Sequence, residues 1–147
     1  MFSSIVVGTD GSETATQAVR EAVDVAKAVG AKLELVSAYA PVSQQRLRAE
    51  RRDAPADVQW AVHPRRETEA VLSDAAEIAR EAQVDVNTHA REGDPSDAIL
   101  DVAEEQNADL VIVGNKGMTG AKRFLLGSVP DKVSHHAPCS VLIVRTT

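Results

Sequence analysis

The stretch from Asp109 to Ser128, D-L-V-I-V-G-N-K-G-M-T-G-A-K-R-F-L-L-G-S, constrains the fold more than any other part of the chain. It opens with Leu110, Val111, Ile112 and Val113, a continuous apolar run in which three residues are β-branched. Such a run reads as a strand buried on both faces, the habit of a parallel sheet. It stops at Gly114, and Gly117, Gly120 and Gly127 follow, with Ser128 directly after. Glycines here would let the backbone take positive φ and let a ligand approach main-chain N–H groups. Val129-Pro130-Asp131-Lys132-Val133 then reads as a helix start with proline in its first turn. A strand, a glycine-rich loop and a helix N-terminus, in that order, build an anion site, because free N–H groups and the positive end of the helix dipole face the loop. A phosphate-bearing ligand is the first expectation.

The rest of the chain repeats the alternation. Ser4 to Gly8 reads as a first buried strand, followed by Thr9-Asp10-Gly11-Ser12. Ser12 suits a helix N-cap and Glu13 the first turn. Ala15, Ala18, Val19, Ala22, Val25, Ala26 and Val29 recur at helical spacing, to an end at Gly30. Lys32 to Tyr39 reads as the second strand. Pro41 to Pro64 carries three prolines, a charged cluster and Trp60, and reads as a long surface excursion. Val71, Leu72, Ala75, Ile78, Ala79 and Ala82 place a helix over Arg65 to Gln83. Val84 to Arg91 alternates with period two, as a strand near a sheet edge does. Asp94-Pro95 reads as an N-cap with proline at the first helical position, opening a helix to about Asn107. The helix after Ser128 reaches about His136, and Ser140 to Arg145 forms the last strand. Strands alternating with helices imply one parallel sheet covered on both faces. Ligands in such sheets bind at the carboxyl ends of strands, where strand order reverses. Gly8-Thr9-Asp10 and the residues from Gly114 onward are the two suitable ends.

Charge and cysteine usage narrow the classes. The 147 residues suit a single domain, and the net charge of −6 argues against a nucleic-acid partner. A small nucleotide is not excluded, since it needs only a local positive patch. The single cysteine, Cys139, permits no intrachain disulfide and fits a reducing cytoplasm. No apolar run has the length of a membrane span, and Met1-Phe2-Ser3-Ser4 leads straight into a strand without a signal-peptide pattern.

The glycine loop reads G-x2-G-x9-G-S through Gly114, Gly117, Gly127 and Ser128. It is neither a P-loop nor the G-x-G-x-x-G dinucleotide fingerprint. Other residues have blander readings. Asp10 could serve only to cap the first helix. Gly120 falls outside the spacing and suits a turn. Lys122 and Arg123 suit a solvated face. His135 and His136 are adjacent and point apart on a helix, which disfavours a shared metal. Cys139 suits a small buried residue. No serine elbow, HExxH, CxxC or paired-carboxylate signature occurs, so a binding module is expected before an enzyme.

With these motifs in place, the chain resembles the universal stress protein family over essentially its whole length. The shared features are V-V-G-T-D-G-S (Val6 to Ser12), G-N-K-G, L-L-G-S-V (Leu125 to Val129) and the closing V-L-I-V (Val141 to Val144). The G-x2-G-x9-G-S loop marks the nucleotide-binding branch, and the closing segment looks most like actinobacterial single-domain members, some of which bind cyclic AMP. The resemblance implies a Rossmann-like fold of the adenine nucleotide alpha hydrolase type. Gly8, Thr9 and Asp10 would face the adenosine and Ala38 would line the adenine pocket. Gly114 and Gly117 would approach ribose and phosphates. Gly127, Ser128 and Val129 would donate to phosphate oxygens. Lys116 sits at a variable loop position from which its ammonium could reach a phosphate.

The expectation is therefore one α/β domain with a five-stranded parallel sheet in the order 3-2-1-4-5 and two helices on each face. Its function would be to sense or sequester ATP in the cytoplasm. The alternatives are a cyclic AMP-binding (or AMP-binding) member and a slow ATPase using Mg2+ held with ATP. An apolar last strand at the sheet edge, Val141 to Val144, invites pairing with a second copy in an antiparallel homodimer.

Overall fold

The computed structural model describes residues 1–40, 64–115 and 126–146. The excursion read over residues 41–63 lies outside them, as do Lys116, Gly117, Gly120, Lys122 and Arg123.

Nine elements alternate: β1 (Ser4–Gly8), α1 (Glu13–Val29), β2 (Lys32–Tyr39), α2 (Pro64–Glu81), β3 (Val86–Glu92), α3 (Pro95–Glu105), β4 (Leu110–Gly114), α4 (Ser128–His136) and β5 (Ser140–Val144). The five strands form one parallel sheet in the order β3-β2-β1-β4-β5, as the sequence predicts. β1 lies between β2 and β4, with Ile5 opposite both Leu33 and Leu110. The chain leaves β1 toward one edge and returns at β4 toward the other, so the carboxyl ends of β1 and β4 flank the switch point.

Period-two alternation divides the core. Ile5, Val7, Leu33, Leu35, Leu110 and Ile112 pack on one face against Val19, Ala22, Val23 and Ala26 of α1 and Leu72, Ala75, Ala76 and Ala79 of α2. Val6, Val36, Val111 and Val113 pack on the other against Ala98, Ile99 and Val102 of α3 and Val133 of α4. Both faces are covered, which is why the strands read as unbroken apolar runs.

The caps follow the local chemistry. The Ser12 hydroxyl accepts from the Ala15 N–H at 3.2 Å, and Gly30 closes α1 in the left-handed conformation at φ 73°. Asp94 caps α3, with Pro95 at its first position. Several boundaries differ from the sequence reading. α2 starts at Pro64, one residue early, since proline suits the first helical position. It ends at Glu81, because Gln83 turns left-handed at φ 61°. Val84 is not in β3: its N–H donates to the Ala79 carbonyl at 2.9 Å and closes the helix end. α3 stops at Glu105, with Asn107 at φ 50°.

Two polar contacts pin the strands. The Asp109 carboxylate accepts from the Ser3 and Ser4 N–H groups at 2.9 to 3.1 Å, tying the start of β4 to β1. Glu34, fully buried in β2, accepts from Asn87 Nδ2 at 3.2 Å and meets His89 Nε2 at 3.1 Å, which fixes the β2–β3 register. Among the described residues no helix is long and apolar enough to cross a membrane.

Candidate functional site

An open cleft of about 410 Å³, solvent at its mouth included, lies over the carboxyl ends of β1 and β4. Gly8 and Thr9 from β1 and its exit, and Val113 and Gly114 from β4, form its floor. Thr14, Ala15 and Ala18 of α1 make one wall, and Ile99 of α3 with Val129 and Pro130 of α4 makes another. Thr146, past the end of β5, completes it. None of these lining residues carries a charge, so a ligand there would meet main-chain dipoles, hydroxyls and apolar surface.

Each lining residue is held by its own element. Thr9 is buried; its N–H donates to the Val36 carbonyl at 2.8 Å and its Oγ1 accepts from the Gly11 N–H at 3.2 Å. Gly11 takes φ 82°, which turns the chain from β1 into α1. A Cβ on Gly8 would stand 2.5 Å from Ile99 Cδ1, so glycine lets the α3 side chain lie against the strand. A Cβ on Gly114 would make only ordinary contact with Thr146, at 3.4 Å.

α4 begins at the cleft without a side-chain cap. Its N-cap is Gly127, at φ −62°, and no side chain hydrogen-bonds there. The Gly127 N–H donates to the Asn115 carbonyl at 2.9 Å, and the Gly127 carbonyl accepts from the Asp131 N–H at 3.0 Å. Pro130 has no N–H to offer. The N–H groups of Ser128 and Val129 are left without an acceptor among the described residues, at the positive end of the α4 dipole.

Among the described residues, Lys132 of α4 pairs with Asp94 and Asp97. Lys132 Nζ pairs with Asp97 at 2.7 Å and lies 3.8 Å from Asp94, and the Asp97 bond holds the lysine's pKa above its ordinary value. The Ser96 hydroxyl donates to Asp94 and, with the Asp97 N–H, holds that carboxyl below the usual range although burial opposes it. His135 and His136 meet edge to face. No group of three or more His, Cys, Asp or Glu side chains that could hold a metal occurs among the described residues. Cys139 is half-buried against the α3 side of the core, less enclosed than expected, and burial raises its thiol pKa.

The predicted residues divide three ways. Gly8, Thr9, Gly114 and Val129 line the cleft, and Gly127 and Ser128 stand at its rim on the α4 N-terminus. Asp10 and Ala38 do not line it. Asp10 Oδ1 accepts from the Ser12 N–H at 2.9 Å, so it shapes the turn, while Ser12 itself caps α1. Ala38 packs against the α3 side of the core. Lys116 and Gly117 lie outside the described residues. The expectation of positive φ is corrected for two loop glycines: neither Gly114 nor Gly127 adopts it. Sequence reasoning does not single out Thr14, Ala15, Ala18, Ile99, Val113, Pro130 or Thr146 as site residues. The α1 and α3 positions carried a signal of helical periodicity only, which marks packing and not a cleft.

Known proteins share this architecture. The model of the universal stress protein family matches residues 1–145. A universal stress protein of Mycobacterium tuberculosis is 40% identical over 147 residues, covering 99% of this chain and 98% of the relative. A crystal structure of a universal stress protein in complex with cAMP is 35% identical, with a TM-score of 0.72, covering 99% of this chain and 98% of that one. The universal stress protein from Archaeoglobus fulgidus in complex with dAMP is 25% identical, with a TM-score of 0.66 and 98% of both chains covered.

Proposed function

The chain belongs to the universal stress protein family, and from that premise we propose that it binds an adenine nucleotide over the carboxyl ends of β1 and β4 and senses or sequesters ATP. One observation carries the reading: α4 opens at the cleft on a glycine N-cap with no side-chain cap, leaving the Ser128 and Val129 N–H groups unpaired among the described residues. Such a helix end is a ready anion site. Phosphate oxygens would accept from Ser128 and Val129, with the Ser128 hydroxyl and the Gly117 main chain beside them. Gly8 and Thr9 would form the nucleoside side within the cleft, Asp10 and Ala38 would be met only by a nucleoside that extends beyond its described lining, Gly114 would admit the ribose, and Lys116 would stand near the phosphates. Mg2+ would enter on the oxygens of ATP itself, as it commonly does, with few protein ligands. The described cleft offers no nucleophile–base pair, so hydrolysis, if measured, would be slow.

A cyclic AMP reading has its own support. The relative solved with cAMP is 35% identical over 99% of this chain, and two unpaired N–H groups match one phosphate as well as they match three. We also propose a homodimer through β5, an edge strand on which Leu142 and Ile143 are 40% and 41% exposed. A single cysteine fits residence in the cytoplasm.

Titration calorimetry with ATP, ADP, AMP and cyclic AMP separates these readings. The variant Ser128→Pro removes one N–H and the hydroxyl at a helical position that tolerates proline. Gly127 before it is already extended at ψ 164°, as a residue preceding proline prefers. A charge-assisted hydrogen bond is worth about 1.5–3 kcal/mol, so affinity should fall roughly 10- to 100-fold. A folded Ser128→Pro protein with unchanged affinity for every nucleotide would sink the assignment.

A further inference from the structure

Asn115, the residue after β4, makes four hydrogen bonds to three other parts of the chain. Its N–H donates to the Val144 carbonyl at the end of β5, at 2.9 Å. Its carbonyl accepts from the N–H of Gly127, the α4 N-cap, at 2.9 Å. Its side-chain oxygen accepts from the Thr146 N–H at 2.8 Å and from the Thr146 hydroxyl at 3.2 Å. The orientation of the amide follows from chemistry: a main-chain N–H can only donate, so oxygen must face it. Thr146 is itself buried, at 8% exposure, and its side chain lies against Gly114 on the cleft floor.

We propose that Asn115 is a positioning residue for the bound nucleotide: clamped by Thr146, it holds the α4 N-cap so that the Ser128 and Val129 N–H groups meet the phosphate. This rests on the nucleotide-binding reading above. The logic is one of allocation. Gly127 spends its N–H on Asn115, so α4 enters at a fixed height over the end of β4, and among the described residues the next two N–H groups are the first left for a ligand. The Thr146 donors fix the Asn115 side chain, and through it the main-chain carbonyl that Gly127 reads. A ligand group in line with preset donors is bound without first ordering them. Adenosine lacks phosphate and would not use the Ser128 and Val129 N–H groups, so its affinity should depend little on this arrangement.

The test uses Asn115→Ala, Asn115→Asp and Thr146→Val, each titrated with ATP and with adenosine and followed by amide hydrogen exchange. Asn115→Ala removes the acceptor of both Thr146 bonds, whereas Asn115→Asp keeps a carboxylate oxygen there. The expected result for Asn115→Ala is about tenfold weaker ATP binding, adenosine binding within twofold of the parent, and Gly127 amide exchange about tenfold faster. Thr146→Val should act in the same direction and more weakly. Asn115→Asp should restore the Gly127 protection. Core amides such as those of Val111 and Ile112 should keep their rates, which separates positioning from general destabilisation. Unchanged Gly127 exchange in Asn115→Ala, or equal losses for ATP and adenosine, would overturn the proposal. Failure of the parent protein to bind either ATP or cyclic AMP would instead refute the nucleotide reading, and the exchange arm would still decide whether Asn115 positions α4.

Discussion

Gly8 and Ile99 should be energetically coupled, and the size of the coupling follows from their geometry. A Cβ at Gly8 would sit 2.5 Å from Ile99 Cδ1 and 3.0 Å from Cγ1. The first distance is about 1 Å inside the ~3.5 Å at which carbons make favourable contact. Ile99 is 2% exposed and borders the cleft, so its methyl can turn away only toward that cleft. Overpacking of this kind costs about 1–3 kcal/mol, offset in part by the ~0.5–1 kcal/mol that alanine gains over glycine inside a strand. Ile99→Val alone removes Cδ1 and should cost about 0.5–1.5 kcal/mol. In the Gly8→Ala/Ile99→Val double variant the new methyl occupies the space Cδ1 vacated. Its destabilisation should therefore fall short of the sum of the singles by about 1 kcal/mol, well outside the ~0.3–0.5 kcal/mol scatter of independent sites. Urea denaturation of the four proteins, with a shared m-value, measures this. Additive losses would show that Ile99 does not hold the floor of the cleft as described.

Ser12→Ala removes the α1 cap and should cost about 1 kcal/mol in the same assay; no loss would mean that Asp10 or solvent replaces the hydroxyl. Asp109 should contribute an acid-labile share of stability. Burial pushes its pKa up, but the bonds from Ser3 and Ser4 outweigh burial and hold it below the usual value. Its contribution is thus present above about pH 4, the ordinary aspartate range, and lost as pH falls through the lower folded value. The melting-temperature gap between the parent and Asp109→Asn should narrow between pH 7 and pH 3, and a constant gap would contradict this. Ile143→Pro removes a strand N–H at the exposed edge. Sedimentation should show a dimer for the parent and a monomer for the variant; a parent that stays monomeric at tens of micromolar would refute the β5 pairing.

The strands were legible because burial on both faces leaves little choice of residue: Ile5 to Val7 and Leu110 to Val113 announce themselves. Helix starts at Ser12 and Asp94 were legible because capping is local chemistry between neighbours in sequence. Alternation alone does not fix strand order, which follows only from the resemblance to the family. The cleft was legible only at its glycines and at the opening of α4. Thr14, Ala18, Ile99 and Thr146 reach it through packing between elements far apart in sequence, and in the chain they look like ordinary helix or tail residues. Glu34 shows the same limit inside the core, where its partners Asn87 and His89 come from a neighbouring strand. The role of the glycines is legible only in part: a Cβ on Gly8 would meet Ile99, which no local pattern announces, and Gly114 and Gly127 keep ordinary φ.

Amide chemical-shift mapping during an ATP titration tests the central claim most directly. The account predicts saturable shifts at Gly8 to Asp10, Gly114, Asn115 and Gly127 to Val129, with the Ser128 and Val129 amides moving most when phosphate is present and little with adenosine alone. Saturable binding whose shifts fall on α2 and β3 and spare the α4 N-terminus would contradict it.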